Sequence, residues 1–168
     1  MLGYYEDAAS VLHDLMEGYP DEHDYLIEMG YSHFMTGYVE DALHYYRKAQ
    51  ATGYKSPNMY CGLYCIYTAL RLKNEALYIA QEGLNEYPDE PAMYENLGEC
   101  YFERGWIADA KEILKEGIRK FPEDCGLREL LKKIEDETGN PDKGKDPPIG
   151  LIILLIMLLR KLKEKHVG

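Results

Sequence analysis

Four alanines, Ala8, Ala42, Ala76 and Ala110, stand 34 residues apart. Each sits in a related phrase: "GYYEDAASVLHDLMEGYP" from Gly3, "GYVEDALHYYRKAQATGY" from Gly37, "RLKNEALYIAQEGLNEYP" from Arg71 and "GWIADAKEILKEGIRKFP" from Gly105. A constant period of this length, with no insertion, marks a chain built by stacking one supersecondary unit on copies of itself. Such a unit buries its apolar side only against its neighbours, so the period constrains the fold more than composition does.

Counted from His23, Pro57 and Pro91, each unit reads as two helices. In the last copy Pro91 opens the first helix, where its missing N–H costs nothing. Tyr94, Leu97, Tyr101 and Phe102 then fall on one helical face before Gly105 interrupts. Ile107, Ala110, Ile113, Leu114, Gly117, Ile118 and Phe121 mark a second amphipathic helix, and Pro122 closes the unit. Small residues at Gly98, Ala110 and Gly117 let the two helices approach closely. Leu127, Leu130, Leu131 and Ile134 share one side of a further helix whose other side is charged, as the end of a stacked array requires.

The pattern Tyr94, Leu97-Gly98, Tyr101, Ala110, Leu114, Gly117, Pro122 resembles the tetratricopeptide repeat (TPR) family. The earlier units follow it with Leu26, Met29-Gly30, His33, Ala42, Tyr46, Ala49, and with Tyr60, Leu63, Tyr67, Ala76, Ala80, Gly83, Pro88. Tyr64 stands where the family's glycine is usual. The resemblance covers residues 3–137 and implies an all-α, TPR-type α-solenoid of antiparallel helix pairs. The expected layout is a half unit at 3–22, full units at 23–56, 57–90 and 91–124, and a capping helix at 125–137. A linker at 138–148 and an extra apolar C-terminal helix within 149–168 complete it.

In that half unit Val11, Leu12, Leu15 and Met16 face a partner helix that does not precede them in the sequence. A truncated start, a second copy of the chain and the chain's own C-terminal segment are the three candidates to cover the stripe.

That C-terminal segment, "IGLIILLIMLLRKLKEKHVG", runs through Leu151, Ile152, Leu155, Ile156 and Leu159 into Arg160, Lys161, Lys163 and Lys165. Its eleven residues without a polar side chain, 149–159, make a helix of about 16 Å, roughly half a bilayer's hydrocarbon thickness. Two readings stand: an anchor at an anionic membrane surface, and a helix packed against protein. The linker reaches at most about 36 Å.

Charge bounds the partners. Nineteen basic against 30 acidic residues give −11, and the tail's four cations against Glu164 leave −14 on residues 1–148. A nucleic-acid backbone is a poor partner for such a body. Cys61, Cys65, Cys100 and Cys125 have no zinc spacing and read as packed apolar residues. No cofactor or metal motif and no catalytic constellation is present, and the expected compartment is the cytoplasm, or the cytoplasmic face of a membrane.

The TPR resemblance implies a concave groove lined by the first helix of each unit. By position the lining is Ile27, Tyr31, Phe34 and Met35, then Asn58, Cys61, Cys65 and Thr68, then Glu95, Asn96, Glu99 and Phe102. The basic clamp that one TPR subclass uses for C-terminal carboxylates is absent. The expected partner is a protein or peptide segment, apolar with a basic end, and the chain's own tail, in the same or a second copy, has that chemistry.

Overall fold

The structure is a computed structural model that describes Val11 and residues 23–139. Seven helices are described: α1 (His23–Met35), α2 (Val39–Ala51), α3 (Pro57–Ala69), α4 (Lys73–Glu86), α5 (Pro91–Glu103), α6 (Ile107–Lys120) and α7 (Cys125–Thr138). No strand occurs among the described residues. The chain divides into two compact units after Leu131; the first contains α1 to α6 and the start of α7. The described part of the second, residues 132–139, is the remainder of α7 and Gly139.

Local signals set the helix starts. Ser56 is extended and its hydroxyl accepts a 3.1 Å bond from the Met59 N–H, with Pro57 at the first helical position of α3. Pro91 plays the same part in α5. Asp124 accepts from the Leu127 N–H at 3.0 Å and caps α7.

The turn inside each pair is one motif made three times. Tyr38 N–H donates to His33 O, Leu72 N–H to Tyr67 O and Trp106 N–H to Tyr101 O, each at 2.9 Å. The residue before each donor has a left-handed backbone: Gly37 at φ 88°, Arg71 at 60° and Gly105 at 75°. This six-to-one bond with a left-handed residue satisfies carbonyls that a helix end leaves open. The first and third units use glycine, and the second forces an arginine into the same conformation.

The alanines that set the period are buried at the crossing of each pair, Ala42 and Ala110 fully and Ala76 to 4% exposure. Leu26, Leu63, Met93 and Leu114 are buried as well, each such side chain contributing about 1.5–3 kcal/mol by leaving water. The first helices of successive pairs touch, α1 with α3 and α3 with α5.

Bulk and absence of bulk are matched within each pair. A Cβ on Gly30 would meet Tyr46, and a Cβ on Gly98 would meet Leu114. In the middle pair the sizes are exchanged: Tyr64 holds the glycine position and Ala80 the bulky one, both buried. The departure at Tyr64 is therefore compensated rather than disruptive, since a core tolerates changes that conserve its volume.

One expectation is corrected. Of the four cysteines only Cys100 is buried; Cys61 is half-buried, and Cys65 and Cys125 are exposed. Cys61 packs against the edge of the core, and Cys65 lies beyond it. Val11 is exposed, and Leu12, Leu15, Met16, the linker from residue 140 and the tail residues Leu151, Ile152, Leu155, Ile156, Leu159, Arg160 and Lys161 lie outside the described residues.

Candidate functional site

The first-helix layer contains a cavity of about 350 Å³ between α1 and α3. Ile27, Glu28, Tyr31 and Phe34 line it from α1, and Asn58, Cys61, Gly62, Cys65 and Ile66 from α3. These side chains meet because a helix presents residues three and four apart on one side. None of the lining residues is basic, and Glu28 is the single carboxylate.

The floor comes from the second helix of the pair. Tyr46 of α2 reaches between the first helices, 3% exposed, with its ring over Gly30 and its hydroxyl end over Gly62. Any side chain at Gly62 would collide with that end of the ring. The missing Cβ on α3 is what lets the phenol arrive at the cavity. Burial, followed by the nearby Cys65 and Glu28, pushes its pKa far up, so it remains a neutral O–H group.

Beyond the cavity, α3 and α5 are joined by polar contacts. Tyr64 Oη donates to Glu99 Oε2 at 2.7 Å, and Asn96 Nδ2 donates to Cys61 Sγ at 3.7 Å. Burial raises the Cys61 thiol, and desolvation beside the cavity, followed by Cys61 and Glu99, raises that of Cys65, so both stay protonated. Burial, then Asp124, Glu99 and Glu129, holds the Glu95 carboxyl above the ordinary carboxylate range.

Of the residues expected to line a groove, Ile27, Tyr31, Phe34, Asn58, Cys61 and Cys65 line this one cavity. Met35 does not; it is exposed at the end of α1. Thr68 lines a different cavity. Glu95, Asn96, Glu99 and Phe102 are half-buried on α5, and Glu99 is already engaged by Tyr64. Glu28, Gly62, Ile66 and Tyr46 complete the lining, and of these Tyr46 stands in the sequence as a position of the repeat pattern. The pairing of Gly30 with Gly62 on either side of one tyrosine was the available signal.

Residues 74–142 match the family model described as tetratricopeptide repeat. Over those residues the chain is similar to tetratricopeptide repeats, and its fold is a TPR-type α-solenoid. Solved TPR-type structures superpose on it with low sequence identity. YrrB, described as a TPR protein with an unusual peptide-binding site, is 14% identical, with a TM-score of 0.66 over 84% of this chain and 73% of its own. The MamA protein is 18% identical, at 0.69 over 82% of this chain and 75% of its own. PilF of Pseudomonas aeruginosa is 20% identical, at 0.71 over 80% and 61%. At these identities the likeness is one of fold. No curated protein matches this chain in sequence. None of its described helices is long and apolar enough to cross a membrane.

Proposed function

We propose that this TPR chain is a protein-interaction module, without catalysis of its own, that takes an apolar polypeptide segment with a basic end into the α1–α3 cavity. The carrying observation is the Tyr46-floored cavity itself. Ile27, Phe34 and Ile66 offer apolar walls, while the Glu28 carboxylate and the Tyr46 hydroxyl offer a cation oxygen atoms and no competing positive charge. The peptide-binding site for which YrrB is described supports a TPR array in this use. Burial of apolar surface would supply most of the affinity, and Glu28 would set orientation.

The chain's residues 155–168, "LIMLLRKLKEKHVG", have the required chemistry and serve as the probe. Labelled peptide of that sequence is expected to bind the full chain saturably, and binding is expected to weaken about tenfold in Cys65→Arg, which puts a like charge on the cavity rim. Binding that is absent, or that ignores Cys65→Arg and Phe34→Ala, rejects the proposal. A membrane surface is the competing occupant of the tail, since eleven apolar residues precede its cations. Sedimentation of the full chain with phosphatidylserine vesicles, undiminished by the cavity variants, would favour that alternative.

A further inference from the structure

A second cavity, of about 280 Å³, opens where the turn after α3 approaches α5. It exists because the middle unit is small where its neighbours are large. Thr68 and Ala69 stand at the positions that hold Phe34 and Met35 one unit earlier, and Phe102 and Glu103 one unit later.

Three cations border this space, Arg71, Lys73 and Arg104, on a body whose net charge is −14. The units on either side carry nothing similar there: Arg71 aligns with Gly37 and Gly105, and Lys73 with Val39 and Ile107. Arg104 is held in place. Its guanidinium donates to Lys73 O at 2.7 Å and Asn74 Oδ1 at 2.9 Å and lies 5.3 Å from the Trp106 ring. Arg71 is the sole non-glycine with a left-handed backbone among the described residues, at φ 60°. The turn would be relaxed with glycine, as its two counterparts are, and the strained arginine instead adds a guanidinium to the rim. Glu103 is the one carboxylate on that rim, and Glu99 acts on the adjacent Cys100 thiol, so the cations are in excess but not unopposed.

We propose that this cavity is an anion subsite that receives a carboxylate side chain, Asp or Glu, of a bound acidic peptide segment. A guanidinium offers forked donors that match a carboxylate, and a fixed arginine loses little freedom on binding it. The subsite shares no lining residue with the Tyr46 cavity and stands without the reading given for that cavity.

The test uses the full chain and a fluorescein-labelled, amide-capped polyglutamate peptide, followed by anisotropy at low salt. Saturable binding is expected, against a protein whose overall charge repels the probe, with polyglutamine showing none. Arg71→Gly and Lys73→Gln should each weaken it about tenfold. Arg71→Gly should also melt at the same or a higher temperature than the parent, because glycine relaxes the turn. Loss of binding together with a lowered melting temperature would make Arg71 a structural residue and overturn the assignment. So would polyglutamate that fails to bind, or binding that both variants leave unchanged. Inorganic phosphate that displaces the peptide at equal concentration would overturn the peptide as source and leave a free-anion site.

Discussion

Tyr46 occupies the space that a side chain on Gly30 would need: a Cβ there would lie 2.5 Å from Cδ2 of its ring. Alanine at position 30 would gain about 1 kcal/mol of helix propensity. Against this, overpacking a well-filled site costs about 1–3 kcal/mol, and a ring that is 3% exposed has nowhere to move. Gly30→Ala is therefore expected to lower stability in a urea melt, and the loss should vanish in a Tyr46→Ala background. An additive double mutant would contradict the contact.

The exchanged pair makes the opposite demand at the equivalent position. Tyr64→Gly restores the usual family residue but removes a buried ring that the small Ala80 cannot replace, and should cost about 3–5 kcal/mol. Tyr64→Phe keeps the ring and loses only the 2.7 Å bond to Glu99, for about 1–2 kcal/mol. Chemical denaturation of the two variants separates volume from hydrogen bonding. Equal losses would argue against the compensation.

Gly105 tests the cost of the turn in isolation. It has φ 75°, and a Cβ there would meet nothing within 4 Å, so alanine suffers only the backbone penalty. Gly105→Ala is expected to lose about 1 kcal/mol, measured by thermal melting. A gain would mean that the turn adapts, and would remove the reason to regard Arg71 as strained.

The half-buried Glu95 gives a pH dependence of known sign. Burial and its acidic neighbours raise its pKa in the folded chain above the unfolded value. The folded state then holds the proton more tightly, so this group opposes folding at neutral pH, and the opposition fades as pH falls through the raised pKa. Glu95→Gln should raise the melting temperature at neutral pH and do so much less at about pH 4. An equal effect at both values would assign the gain to something other than charge.

The period of 34 and its alanines made the helix pairs legible, because a buried crossing point tolerates only a small residue and so repeats it. Six lining residues were legible for the same reason, since a shared register puts Ile27 and Cys61 on one layer. Register could not tell that Tyr46 crosses from the second helix to the cavity. That depends on two absences, at Gly30 and Gly62, which matter only once three helices are brought together. The gathering of Arg71, Lys73 and Arg104 likewise depends on residues particular to two neighbouring units, and a consensus averages such differences away.

Gly62 belongs to one copy and makes room for a tyrosine belonging to the copy before it. Tandem duplication of residues 23–56 would set a second Glu28 where Gly62 now stands, directly in the path of the Tyr46 ring. This array cannot grow by copying that segment alone. Adjacent copies in it are adapted to each other, and a lengthened version would have to inherit them as a couple.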